Sequence, residues 1–159
     1  MKKKRYYIAY GSNLSVEQMA IRCPDAKIAG MAALKDWKLV FKIHADIEPC
    51  DGRTAPVLVW EISEQDERSL DLYEGFPSYY GKRELDITLT DLKGRNPRKV
   101  TAMVYTMTEG HKIQMPMKGY YDVLARVLPL SWGDTILPRV FSQNCYRRCH
   151  QLTRNATAG

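Results

Sequence analysis

Apolar and polar positions along the chain divide it into short segments of two periods. Arg5 to Tyr10 is aromatic and β-branched and is predicted to be a buried strand, ending abruptly at Gly11-Ser12-Asn13. Ser15 and Gln18 have capping-box spacing, and Met19, Ala20 and Ile21 supply apolar surface, so a short helix is expected from about Ser15 until Arg22-Cys23-Pro24-Asp25 breaks it. Lys27 to Leu34 and Trp37 to Ile43 read as two strands around a turn at Lys35-Asp36. A short extended piece, Ala45 to Glu48, stops at Pro49, and Cys50-Asp51-Gly52 reads as a turn. Pro56 to Ile62 is the clearest central strand.

Ser63 then caps a helix, with Asp66 three residues on and Glu64, Asp66 and Glu67 in the first turn, where the helix dipole favours acids. This helix is expected to run to about Tyr73 and to stop before Gly75. From Lys82 to Thr90 residues alternate, with Leu85, Ile87 and Leu89 on one face. Lys93-Gly94-Arg95-Asn96 has hairpin-turn chemistry, and Lys99 to Met107 is the partner strand. Gly119 to Leu128 and Thr135 to Gln151 are predicted helices separated by Pro129. Hairpins dominate and strict β–α alternation is absent. The fold class expected is therefore α+β, with a largely antiparallel or barrel-like sheet.

Length and composition narrow the function classes. At 159 residues, 45% hydrophobic and 26% charged, the chain is a globular domain large enough to bury a core without staples. No stretch approaches the ~18–20 apolar residues of a membrane span. The opening Met1-Lys2-Lys3-Lys4-Arg5, followed by only a short apolar run, is read as the start of a mature cytoplasmic chain rather than a signal peptide. The net charge of +6 sits at the ends: residues 1–5 and 135–159 carry eight basic groups and no acid. Solvated basic termini are expected, with no nucleic-acid partner and no membrane partner. Cys145, Cys149 and His150 lie on about one helical turn, too few ligands for a zinc site without a fourth from elsewhere, so no metal is assigned.

Two places can carry chemistry. Tyr10-Gly11-Ser12-Asn13-Leu14 runs a strand into a turn and a helix start, where backbone N–H groups can face an anion or a polarised carbonyl. It lacks the spacing of a phosphate loop and of a hydrolase elbow. With no histidine in a matching motif, Ser12 is read as a hydrogen-bonder of the loop rather than a nucleophile. The second place is Leu72-Tyr73-Glu74-Gly75-Phe76-Pro77, followed by Ser78-Tyr79-Tyr80. Glu74 falls at a helix C-terminus among Tyr73, Phe76 and Pro77, so the dipole and desolvation both raise its pKa. A carboxyl tuned in that way suits a general base near neutral pH.

These two motifs, in this order and separation, resemble the signature of the gamma-glutamylcyclotransferase-like family. Val59-Trp60-Glu61-Ile62 and Met115-Pro116-Met117-Lys118-Gly119-Tyr120 resemble it too, and the similarity covers roughly residues 5–125. The resemblance implies a mixed sheet curled into a small barrel with flanking helices and a pocket at its edge. It implies that Glu74 is the catalytic acid–base. It further implies that Tyr10, Gly11, Ser12, Asn13 and Leu14 bind the gamma-glutamyl head largely through main-chain groups, that Tyr80 (or Tyr79) lies near the substrate carboxylate or Glu74, and that Tyr120 is a further pocket residue. Residues 1–127 would form the family domain and 128–159 a helical extension with a basic tail. The implied activity is cleavage of gamma-glutamyl amides by the substrate's own α-amine, giving 5-oxoproline and a free amine with no cofactor. A non-catalytic module that binds a small amide in the same fold is the alternative. The leaving amine and the oligomeric state are not specified at this level.

Overall fold

The computed structural model of the chain describes residues 4–120. The five strands are β1 (Arg5–Ala9), β2 (Lys27–Lys42), β3 (His44–Ile62), β4 (Tyr80–Leu89) and β5 (Arg98–Met107). The two helices are α1 (Val16–Arg22) and α2 (Glu64–Glu74). The strands form one sheet in the order β2-β3-β1-β5-β4. β1 lies in its middle, antiparallel to β3 from Arg5↔Ile62 to Ala9↔Leu58 and parallel to β5 from Tyr6↔Ala102 to Ile8↔Val104. All other pairings are antiparallel. Flanked by a neighbour on each edge, β1 is buried over its second half, with Tyr7, Ile8 and Ala9 at 3%, 0% and 1% exposure, while Arg5 and Tyr6 are half-buried. The α+β class and the largely antiparallel sheet agree with the reading of the sequence.

The small barrel that the resemblance implies is not closed. The sheet curls until its edge strands touch, but they meet at one isolated bridge, Met31↔Thr90, not along a ladder. Met31 N–H donates to the Thr90 carbonyl at 3.0 Å and Thr90 N–H to the Met31 carbonyl at 2.9 Å. Gly30 makes that approach possible. Its φ is +150°, and a Cβ there would lie 1.9 Å from the Thr90 carbonyl oxygen.

A second correction concerns the β2–β3 hairpin. The turn expected at Lys35-Asp36 is a bulge inside one long strand. The register passes from Lys35↔Thr54 to Trp37↔Pro49, Asp36 adopts φ 62°, and its carboxylate accepts the Gly52 N–H at 2.9 Å. The chain reverses instead at Ile43, between the paired Lys42 and His44. Side-chain capture of a displaced backbone N–H lets the ladder continue past a pair of residues that would otherwise close a turn.

The helix caps follow their residues. Ser63 accepts the Asp66 N–H at 3.1 Å and Asp66 returns a bond to the Ser63 N–H at 3.0 Å, completing the box at α2. At α1 the box is half made: Ser15 accepts the Gln18 N–H at 3.2 Å, while the buried Gln18 Oε1 has no partner among the described residues. Gly75 ends α2 at φ 63°. Between β4 and β5 the Asp91 carboxylate collects the Lys93 and Arg95 N–H groups at 2.8 and 2.9 Å, which fixes the loop expected around Gly94. The helices expected beyond Tyr120, the 128–159 extension and the Cys145/Cys149/His150 cluster lie outside the described residues. Among the described residues no helix is long and apolar enough to cross a membrane, and no cluster of potential metal ligands occurs.

Replacing Gly30 by alanine is expected to break the edge bridge and to lower stability by more than ~2 kcal/mol. Urea unfolding of wild type and G30A measures the difference.

Candidate active site

Four chain segments meet at one end of the sheet. β1 exits into Tyr10 and Gly11. A 3₁₀ turn, Ser12–Leu14, follows and leads to α1. α2 ends at Glu74 and Gly75, β3 begins at His44 and Ala45, and β4 begins at Tyr80. The ends enclose a cavity of about 220 Å³ whose walls include Tyr10, Gly11, Ser12, Asn13, Glu74, Tyr80 and Tyr120. Seven of the eight residues singled out from the sequence are thus brought together. Leu14 is not: it is 2% exposed within the core cluster, and its N–H is taken by the Gly11 carbonyl at 3.0 Å. The 3₁₀ turn uses that N–H for itself and buries the Leu14 side chain. The Ser15 N–H is likewise given to Ser12. Of the Tyr10–Leu14 segment, Tyr10, Gly11, Ser12 and Asn13 line the cavity.

Glu74 is the acidic residue among the cavity-lining residues described. Its helix end is fixed from the outside by charges on α2. Lys82 bonds both Glu67 and Asp71, each at 2.7 Å, and Arg5 reaches Glu67 at 2.9 Å and also pairs with Glu84. Asp71, one turn before Glu74, also accepts the Tyr105 hydroxyl at 2.5 Å. The Glu74 carboxylate accepts a bond from Asn13 Nδ2 at 3.1 Å. Burial raises its pKa from 4.5 to about 7, and the nearby Arg22 charge and the Asn13 bond hold back part of that rise. Desolvation, not an acidic neighbour, is the dominant cause.

Asn13 is the junction of the site. It is 3% exposed. Its Nδ2 donates also to Tyr7 Oη at 2.9 Å, its Oδ1 accepts from Arg22 Nη1 at 2.7 Å, and its carbonyl accepts the Trp60 indole N–H at 3.0 Å. The tyrosine hydroxyls mostly serve the scaffold. Tyr10 donates to the Tyr105 carbonyl at 2.6 Å and Tyr80 to the Ala45 carbonyl at 2.8 Å. Tyr120 Oη accepts the Ala45 N–H at 3.2 Å and also faces the Ser12 backbone N–H; burial pushes its pKa to about 12. The same cause raises Tyr7, Tyr10, Tyr80 and Tyr105, so all of these stay neutral at physiological pH. Ser12 Oγ pairs with Tyr73 Oη at 3.0 Å. Gly11 is packed closely, since a Cβ would lie 3.0 Å from Tyr120 Oη and 3.2 Å from the Ala45 methyl.

Several lining residues escaped the sequence reading. Tyr7, His44 and Tyr105 all face the cavity. Tyr73, beside Glu74, and both Tyr79 and Tyr80 face it as well. Tyr7 lies three residues before Tyr10 but reads as plain core. His44, which lies in no motif of the sequence, reaches the site because the hairpin reverses at Ile43; its Nδ1 lies 3.2 Å from Tyr79 Oη.

A family model described as gamma-glutamyl cyclotransferase, AIG2-like, matches residues 7–123. A gamma-glutamylcyclotransferase of Bos taurus is 29% identical over 130 residues, covering 74% of this chain and 66% of the bovine protein. One of Mus musculus is 31% identical over 115 residues, covering 64% of this chain and 58% of the mouse protein. The chain thus spans about two thirds or less of the length of these relatives. A solved structure titled gamma-glutamyl cyclotransferase superposes with a TM-score of 0.72 at 25% identity, covering 84% of this chain and 83% of that one.

The raised Glu74 pKa has a consequence for stability. Between pH 4.5 and about 7 the folded state holds a proton that the unfolded state has lost, so stability falls as pH rises across that window and is flat above it. Glu74→Gln accepts the same Asn13 bond without the charge. It is expected to be more stable than wild type at pH 8, by on the order of 1–3 kcal/mol, with the gap closing below pH ~4.5. Denaturant unfolding at both pH values checks this.

Proposed function

The chain belongs to the gamma-glutamyl cyclotransferase, AIG2-like, family, and on that premise we propose that it cleaves gamma-glutamyl amides by cyclisation, with Glu74 as the acid–base. The observation that carries the reading is a desolvated carboxyl poised near neutral pH in the same small cavity as the Gly11–Asn13 main chain. A cavity of about 220 Å³ is below the ~300–1,000 Å³ of drug-sized pockets and suits a compact amino-acid head.

The substrate is R–NH–CO–CH2–CH2–CH(NH3+)–COO−. Ionised Glu74 takes a proton from the α-ammonium and leaves a nucleophilic amine. The amine attacks the γ-carbonyl carbon, a C–N bond forms, and charge collects on the carbonyl oxygen. In this scheme main-chain groups of the Gly11–Asn13 segment bind the head or steady that oxygen. The adduct collapses by breaking the original C–N bond, and Glu74 returns its proton to the departing nitrogen. Of the three ammonium hydrogens one stays on the lactam and two leave on R–NH3+, so the reaction balances without a co-reactant. Because the nucleophile is part of the substrate, no cofactor or covalent enzyme intermediate is required. Holding the chain curled supplies the proximity term, up to ~7–11 kcal/mol in well-placed intramolecular reactions. Tyr10, Tyr80 and Tyr120 act in this scheme as walls that exclude water and fix the loop. A cytoplasmic setting belongs to the same proposal.

A panel of gamma-glutamyl amides assayed for 5-oxoproline by mass spectrometry tests the activity. Glu74→Gln is expected to keep the fold and lose at least ~10²-fold in kcat/KM; a variant with wild-type turnover would defeat the assignment. An amide that raises the melting temperature but yields no 5-oxoproline from wild type would leave a binding module. The pH profile is a separate prediction. Glu74 must be ionised to act, so kcat/KM should fall about tenfold per pH unit below its midpoint near 7.

A further inference from the structure

The reaction scheme above uses Glu74 and the loop, yet the orientation of the group between them is set from outside the cavity. Asn13 presents an oxygen on one side of its amide and a nitrogen on the other. If the amide were turned over, its carbonyl oxygen would face the Glu74 carboxylate and the Tyr7 hydroxyl. Arg22 decides the matter. A guanidinium has only donors, so the Asn13 atom 2.7 Å from Arg22 Nη1 must be the oxygen. The NH2 group is then committed to Tyr7 Oη at 2.9 Å and Glu74 Oε1 at 3.1 Å.

We propose that Arg22 is a positioning residue for this reaction: its guanidinium locks the Asn13 amide with both N–H bonds aimed at Glu74 and Tyr7, and places a cation behind the catalytic carboxyl. The proposal rests on the function assigned above.

Arg22 is itself held in a defined pose. It is the last residue of α1, where a cation suits the dipole. Its guanidinium carbon stacks 3.6 Å above the centre of the Tyr73 ring, and Tyr73 bonds Ser12 of the loop at 3.0 Å. One side chain therefore ties the end of α1, the loop and the end of α2 together. The groups facing Glu74 are Tyr7 from β1, Tyr10 at its exit, Tyr80 from β4, Tyr120 and Arg22, with His44, Tyr73, Tyr79 and Tyr105 lining the same cavity. The tyrosines with raised pKa values add no charge near neutrality, whereas Arg22 does, and its charge opposes the rise that burial imposes on Glu74.

Titration of the Glu74 carboxyl, followed by 13C NMR on glutamate-labelled protein and assigned with E74Q, tests this without substrate. In Arg22→Met the midpoint is expected to rise by about one pH unit, as for loss of an opposite charge. The acid limb of kcat/KM for 5-oxoproline release should move with it, giving ~10-fold loss at pH 6.5 and under ~3-fold loss at pH 9. Arg22→Lys keeps a charge but not the planar fork; it should shift both in the same direction by about half as much. A folded R22M that titrates like wild type, or that loses activity equally at all pH values, overturns the proposal. If R22M does not fold, a wild-type midpoint in R22K does the same. If wild type releases no 5-oxoproline from any amide, the assigned function has failed, and the carboxyl titration still decides whether Arg22 acts on Glu74.

Discussion

Burial of the Glu74 carboxyl is the constraint around which this end of the molecule is organised. An acid away from water destabilises the folded state unless something else compels its position. Two outside anchors do so here. On one side the Arg5, Lys82, Glu67 and Asp71 ion pairs hold α2 against β1 and β4. On the other, Asn13 reaches across with an amide that Arg22 orients. The tyrosines supply apolar wall with hydroxyls already satisfied by backbone carbonyls of β5 and β3. The carboxyl is thus left with one amide bond and a medium that favours its proton, as proton transfer near neutrality requires.

The dominance of desolvation separates this site from an ordinary helix end. The sequence reading invoked both the dipole and burial for Glu74. Burial stands first among the causes in the folded protein, with Arg22 and Asn13 acting against it. An interaction that lowers the pKa is useful when the unopposed value would be too high, since a base that never ionises is as idle as one that never takes a proton.

Local chemistry made much of the architecture legible in advance. Ser63 and Asp66 announced α2 because a cap is a contact between residues three apart. The buried middle strand showed in Tyr7, Ile8 and Ala9, and the loop and Glu74 showed because strand exits and helix ends are marked by glycine. What stayed hidden is non-local. Lys35-Asp36 looks like a turn until its partner strand is known to supply Gly52 for Asp36 to bind. His44 and Tyr7 carry no sign of a site because only the reversal at Ile43 and the central position of β1 bring them there. Arg22 read as a helix-breaking neighbour of Pro24, and nothing within its own helix foretells the Asn13 amide. Whether the curled sheet closes its edges by a ladder or by a single bridge also depends on residues far apart in sequence, Met31 and Thr90.

The middle position of β1 also bears on how the molecule is assembled over time. Its hydrogen-bonding neighbours are β3, some fifty residues later in the chain, and β5, nearly a hundred later. Contacts so distant in sequence make folding slow relative to helical domains of similar size. During synthesis this central segment waits without a β5 edge to dock on, so a nascent chain halted before Arg98 would present it to chaperones. The Gly11–Asn13 turn hangs from that segment, so the cavity it lines is complete on this side only once β5 has docked.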